Sequence, residues 1–320
     1  MSFSKEVKKE ILDNGFASPF MALAFLCGLF YSSAHFEINA NSISGCYITT
    51  DTDFLFDYLK QTTKKLYNSG EITLESDFKI GQTEYYKISF ADDLARQILL
   101  SSKIVLMQNK ELVKNSEISQ DFFSSEDGLK GFMAGTYIGC GTSSIKLAEN
   151  GRTTTGYHIE LSNQSYVLLH EISNVLAQFD IFAKLTKRKN LYVLYVKDAE
   201  QVSNVLALMG ASNAVLKLQN EIITRQVRNK VNRQNNCFVS NFSKTLNASY
   251  NQLEAIKVLD ENIGLYNLPA DIQEVALLRL ANSDESLEEL LKLAKTPMTK
   301  SALNHRFQKI IKLAQRIKGN

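Results

Sequence analysis

Residues 131–141 read GFMAGTYIGCG. Glycine recurs there among apolar side chains, and that spacing suits a helix whose backbone comes close to a second helix. A stretch of the same kind, LCGLFYSSA, occupies residues 26–34. Gly28 and Gly135 stand 107 residues apart. Gly28 with Ser32, and Gly135 with Gly139, are small-residue pairs one helical turn apart, on one face of their helices. The economical way to bury both helices is to pack one against the other.

The segments after the two stretches are also alike. GCYITTDTDFLFDYLKQTTKKLY (45–67) comes after the first and TGYHIELSNQSYVLLHEISNVLAQF (155–179) after the second. Each opens with a β-prone run, passes a polar turn and takes up helical periodicity. EYYKISF (84–90) and LYVLYVK (191–197) come next, with Tyr85 and Tyr192 again 107 apart. Each leads into an acidic helix start. The offset is 111 between Ile48 and Ile159, and an insertion around residues 148–156 accounts for the drift. The half-unit is helix, two strands, helix, two strands, helix, and it occurs twice within residues 18–212. One small-residue helix from each half is expected at a pseudo-twofold axis. Each half then adds a sheet on the same side, forming a saddle for a long ligand.

The pattern changes after Gly210. NAVLKLQNEIITRQVRNKVNRQNNC is helical and then polar, so it reads as a connector. Leu246, Tyr250, Leu253, Ile256 and Leu259 then mark an amphipathic helix that Gly264 ends. Residues 268–283 predict another. SDESLEELLKLAKTPMTKSALNHRFQKIIKLAQRIK (283–318) is the most informative passage. Ser286 and Glu289 form a capping box before a short helix. Pro297 breaks it, and Thr299 is an N-cap for a final helix. Leu303, Phe307, Ile310, Ala314 and Ile317 share one face of that helix. A short helix, a turn and a longer basic helix is the pattern of a helix-turn-helix. Lys300, Ser301, Asn304, His305 and Gln308 are candidate base or phosphate contacts, and Lys309, Lys312 and Arg316 extend the basic face.

The bulk numbers agree with two domains, 1–220 and 221–320, in a chain of 320 residues with 44% hydrophobic and 22% charged content. The longest apolar candidate, Pro19 to Tyr31, falls short of the roughly 20 residues of a membrane span. The charged amphipathic N-terminus is no secretory signal. The cysteines, Cys27, Cys46, Cys140 and Cys237, form no CxxC pair and have no histidine at ligand spacing. They read as free thiols in a reducing cytosol, and neither metal nor cofactor is expected. His35, His158 and His170 read as structural. Residues 1–220 carry 21 Lys and Arg against 24 Asp and Glu, whereas residues 221–320 carry 15 against 10. From Thr296 onward there is no acid at all. This basic end is either a polyanion contact or a solvated tail, and KLTKRKN (184–190) is either a local basic contact or a solvated turn.

Two small-residue helices at the dyad of a duplicated αββαββα unit resemble the LAGLIDADG homing endonucleases. That resemblance implies a β-saddle on duplex DNA and metal ions held by an acidic residue at the end of each motif helix. On that motif Ser33 and Cys140 occupy the catalytic positions, and neither is a carboxylate. A nuclease is therefore not expected; the alternative is one with displaced acids such as Glu37. The near neutrality of residues 1–220 leaves this half as an inert scaffold, a platform for protein partners, a ligand-sensing module or a weak second DNA contact. Over nearly its whole length the chain resembles the WhiA-type bacterial regulators, on MSFSKEVKKEIL, the connector, IGLYNLP (263–269) and SLEELLKLAKTPMTKSALNHRFQKI (286–310). That resemblance implies an α+β fold: a degenerate LAGLIDADG-like domain, then an all-α helix-turn-helix. It also implies binding to double-stranded DNA, transcription control, links to cell division, the cell cycle and chromosome segregation, and a cytoplasmic, nucleoid-associated place. The first motif helix, residues 26–34, departs furthest from the pattern.

Overall fold

The structure, a computed structural model, describes residues 2–39, 41–69, 71–80, 83–115, 117–145 and 156–319. The chain divides into two compact units, residues 1–224 and 225–320.

The first unit opens with α1 (Phe3–Asn14). Then come α2 (Pro19–Ser33), β1 (Ala34–Asn39), β2 (Ser42–Thr50), α3 (Leu55–Tyr67), β3 (Ile72–Ile80), β4 (Thr83–Phe90) and α4 (Asp92–Ser101). A hairpin, β5 (Val105–Gln108) and β6 (Glu111–Lys114), precedes α5 (Glu126–Cys140). The series then recurs as β7 (Gly141–Ile145), β8 (Tyr157–Asn163), α6 (Tyr166–Ala177), β9 (Lys184–Arg188), β10 (Leu191–Val196) and α7 (Ala199–Leu208). The two antiparallel sheets share one strand order, β1-β2-β4-β3 and β7-β8-β10-β9. The αββαββα unit is therefore duplicated, with α1 and the β5–β6 hairpin added outside the repeat.

The register sharpens the sequence alignment of the halves. Ala34 pairs with Ile48 and Gly141 with Leu161. Leu161, rather than Ile159, thus takes the place of Ile48. Residues 40–41 separate β1 from β2, whereas residues 146–156 separate β7 from β8.

Local chemistry starts both central helices in the same way. Ser18 Oγ accepts from the Met21 amide (3.1 Å) and Ser125 Oγ from the Gly128 amide (3.1 Å), each an N-cap that satisfies an orphan donor. These caps are also 107 residues apart. Beyond them α2 and α5 meet at backbone distance. A Cβ on Gly28 would overlap the Phe132 carbonyl oxygen and lie 2.9 Å from Thr136 N. A Cβ on Gly135 would overlap the Phe25 carbonyl oxygen and lie 2.8 Å from Leu29 N. Phe25 and Phe132, and Leu29 and Thr136, are again separated by 107, so the two sets of contacts are reciprocal. That reciprocity is the mark of a local twofold. On the axis Gly131 faces Ala24, and Gly139 faces Ser32.

The start of α8 (Ser212–Asn262) is held by α1. The Asn213 and Ala214 amides donate to the Glu10 carboxylate (2.6 and 3.0 Å), so an acid from the first helix caps the N-terminus of the longest one. Lys217 pairs with Glu6 at 2.6 Å.

In the second unit the C-terminal part of α8 supplies Ala255, Ile256 and Leu259 to a small core. Gly264, at φ +82°, ends the helix. Ile272, Val275 and Ala276 on α9 (Ala270–Ala281), Leu290 on α10 (Leu287–Leu293) and Leu303, Phe307, Ile310 and Ala314 on α11 (Lys300–Lys318) complete the core. The unit is all-α. Leu246 and Tyr250, expected on the apolar face of α8, are exposed, because the buried face there runs through Ser249, Gln252, Ile256 and Leu259. The polar run expected to be a connector is helical throughout.

Candidate nucleic-acid interface

The pair α10 and α11, with the turn between them, is fixed at three points. Thr299 Oγ1 accepts from the Ala302 amide (3.2 Å) and starts α11, and Ser286 Oγ accepts from the Glu289 amide (3.3 Å) and starts α10. Glu274 on α9 accepts from both the Thr296 amide (2.9 Å) and the Thr296 hydroxyl (2.8 Å). Those two hydrogen bonds hold the Glu274 carboxyl below the usual carboxylate range. Between α8, the α9–α10 loop and α11 lies Arg279, 1% exposed. Its Nε donates to Gln252 Oε1 (2.9 Å). Its Nη1 donates to the carbonyls of Glu285 (2.7 Å), Asn282 (3.2 Å) and Ser283 (3.4 Å). Its guanidinium sits 5.3 Å over the Phe307 ring. One cation therefore ties α8, α9, the α9–α10 loop and α11 together. Burial draws its pKa down.

On this support α11 turns Leu303, Phe307, Ile310 and Ala314 inward. Ser301, Asn304, His305, Gln308, Lys309, Lys312 and Arg316 are all exposed. Among the described residues, no side-chain hydrogen bond or ion pair engages any of these seven. Lys300 is exposed too, but its Nζ lies 2.5 Å from Glu288 Oε1 and holds that carboxyl below its usual range. Arg306, one helical step aside, is turned to Asp271 (3.7 Å) and Met298 Sδ (3.4 Å). The open face of α11 thus combines amide, hydroxyl and imidazole groups near its N-terminus with unpaired cations further along.

The second set of candidate positions lies at the other ends of α2 and α5. Ser33 Oγ donates back to the Leu29 carbonyl (2.7 Å). Burial pushes the Cys140 thiol up to about 12, against a backbone hydrogen bond from Ser162 and the nearby Lys8 charge. Lys8 is itself almost buried, 3.4 Å from Asp51. Asn163 donates to the Ser32 carbonyl (2.7 Å). Glu37 is an exposed residue of β1, and 107 residues later stands Ser144. A hard divalent cation is held by charged oxygens. A protonated thiol, a hydroxyl committed to its own helix and a neighbouring ammonium do not fit one.

Comparison with known proteins gives this geometry a family. The probable cell division protein WhiA of Clostridium acetobutylicum is 31% identical over 320 residues, covering 99% of each chain. That of Clostridium perfringens is 31% identical over 323 residues, covering both chains in full. The chain belongs to the WhiA family. The model of the WhiA C-terminal HTH domain matches residues 231–314, and that of the WhiA LAGLIDADG-like domain matches residues 129–228. The crystal structure of full-length WhiA from Thermotoga maritima has the same fold, with a TM-score of 0.58 at 23% identity over 99% of each chain. The WhiA helix-turn-helix match contains α9, α10 and α11 as far as Ala314, and indicates DNA binding. The WhiA LAGLIDADG-like match begins only at α5, yet the preceding half keeps the same topology. Among the described residues no helix is long and apolar enough to cross a membrane, and no group of three or more His, Cys, Asp or Glu could hold a metal.

Sequence reasoning missed the groups that position this interface. Arg279 is not among the candidate residues, although its spacing from Ile272, Val275 and Ala276 puts it on the inward face. Glu274 carries no local signal for a partner 22 residues away.

Proposed function

We propose that this chain is a sequence-specific, double-stranded DNA-binding transcriptional regulator acting in cell division and chromosome organisation at the nucleoid. Its working part is the C-terminal domain, residues 221–320. Ser301, Asn304, His305 and Gln308 meet base edges in the major groove, where amides suit adenine. Lys309, Lys312 and Arg316 meet phosphates. Lys300 joins them only by exchanging Glu288 for a phosphate, so its net contribution is smaller. The observation that carries this reading is the open, acid-free face of α11, which follows a turn pinned by Glu274 and packs on a core braced by Arg279. Residues 1–220 form a non-catalytic domain, a platform for protein partners rather than a nuclease, because the helix-end residues do not suit a hard cation. Genome-wide occupancy of the full chain, compared with a chain cut before Thr296, tests the proposal. Discrete peaks should vanish in the truncated chain; peaks that persist unchanged would move DNA recognition elsewhere.

A further inference from the structure

A second basic surface lies on α8, away from the core of its own unit. Every residue from 226 to 244 is exposed. No Asp or Glu occurs between Ile222 and Leu253, while Arg225, Arg228, Lys230, Arg233 and Lys244 all fall there. A helix exposed on all sides, rich in asparagine and without acidic partners at i+4, has little support of its own. Its charges are ordered along one side. Lys230, Arg233 and Lys244 share a face with Asn229, Asn236 and Ser240, at steps of three and four residues. Among the described residues those three cations form no ion pair.

We propose that this stretch of α8 is a phosphate-tracking arm that binds the DNA backbone beside the site read by α11. The idea rests on the DNA-binding reading above and extends it to a second contact surface. Along the helix Lys230 and Lys244 are about 21 Å apart at ~1.5 Å per residue. That length matches roughly six phosphates of one strand at ~3.4 Å spacing. Lys244 is about 16 Å by the same rise from Ala255, where α8 enters the core of the helix-turn-helix unit. The arm is therefore a continuous helical extension of the domain that carries α11. The opposite stripe, with Val227, Val231, Phe238 and Phe242 exposed, offers a competing occupant in a second copy of the chain. Its steps of mostly four residues drift around the helix instead of keeping a 3.5-residue seam. Self-pairing there would also bring Arg228 of each copy into the contact. The charge pattern favours the polyanion.

The test is a salt titration of the full chain on a mixed-sequence duplex of about 40 base pairs, followed by anisotropy. It compares wild type, a Lys230→Gln/Arg233→Gln/Lys244→Gln triple variant and a Lys309→Ala/Lys312→Ala double variant. Glutamine keeps helix propensity, and circular dichroism checks that each variant folds. In the triple variant the slope of log affinity on log salt should become shallower by about 2–3, near ~0.9 per phosphate released. A Val231→Gln/Phe242→Gln variant should keep the wild-type slope. A triple variant with wild-type slope, beside a double variant that loses affinity, would overturn the arm and leave the role of α11 standing. A wild type without salt-dependent binding would overturn both. Conversion of a wild-type dimer to a monomer in the triple variant, by sedimentation velocity, would assign the arm to chain–chain contact instead.

Discussion

The α2–α5 contact and the open face of α11 are opposite solutions to the use of a helix. At the dyad, small residues remove every side chain that could separate two backbones, and nothing charged remains at Ser33 or Cys140. On α11 the core face is bulky, and the other face leaves Ser301, Asn304, His305, Gln308, Lys309, Lys312 and Arg316 without side-chain partners among the described residues. The first arrangement spends its chemistry on the fold. The second relies on a fold built elsewhere, by Arg279, Glu274 and the caps, and leaves its chemistry available. Glycine spacing in this chain therefore reports architecture, and the unpaired basic and amide groups mark the face proposed to meet DNA.

Substitutions can break that contrast, starting with the dyad. Gly135→Ala places a methyl against the Phe25 carbonyl and should destabilise the first unit by about 3 kcal/mol in chemical denaturation. Gly139→Ala should cost less, because the atom it meets is the Ser32 hydroxyl, which can rotate; adding Ser32→Ala should restore part of the loss. Equal effects at the two glycines would mean that the backbone approach is not what limits the contact. Arg279→Ala leaves three carbonyls and Gln252 without their donor, and about 2–4 kcal/mol should be lost from the second unit. Arg279→Lys should not restore it, since an ammonium lacks the fork.

On α11 the expected outcome is reversed. Lys309→Ala/Lys312→Ala should leave stability within about 0.5 kcal/mol and weaken binding on all duplexes, with a salt slope shallower by about 2. Asn304→Ala or Gln308→Ala should instead change sequence preference by about 1–3 kcal/mol at single base pairs, read by selection on randomised duplexes. A uniform loss across sequences would reassign those amides to phosphates. The smallest effect concerns pH. Glu274 is held below its unfolded value of about 4.3, so its contribution is present above that pH and fades as pH falls through the folded value. The thermal midpoint of the second unit should drop in acid with a contribution that Glu274→Gln abolishes.

Much of this fold was readable, and the failures have physical causes. The 107-residue recurrence carries the duplication because both glycines answer to one contact. The β7–β8 register escapes by two residues because side chains alternate with period two, and an even slip leaves every apolar residue on its face. The β5–β6 hairpin escapes because its turn uses Asn109 and Lys110 at positive φ (49° and 69°) without the glycine that would signal it. The continuity of α8 escapes because its asparagine-rich middle has poor propensity; the helix is anchored by Glu10 at one end and by the core around Ile256 at the other. On α11 the caps and the apolar face are local signals and were legible. Arg279 and Glu274 act across the fold and were not.

The axis of the first unit has one more consequence. In a homodimer each residue on a twofold meets its own copy, so both sides must compromise. Here Ser32 meets Gly139 and Ala24 meets Gly131. Two serines would collide where Gly139 now stands, and two glycines would forfeit the Ser32 hydroxyl, which donates to Gly28 O at 2.7 Å. Fusion of the halves into one polypeptide lets the partners divide the space unequally. The departure from symmetry is open to a tandem chain and closed to a homodimer.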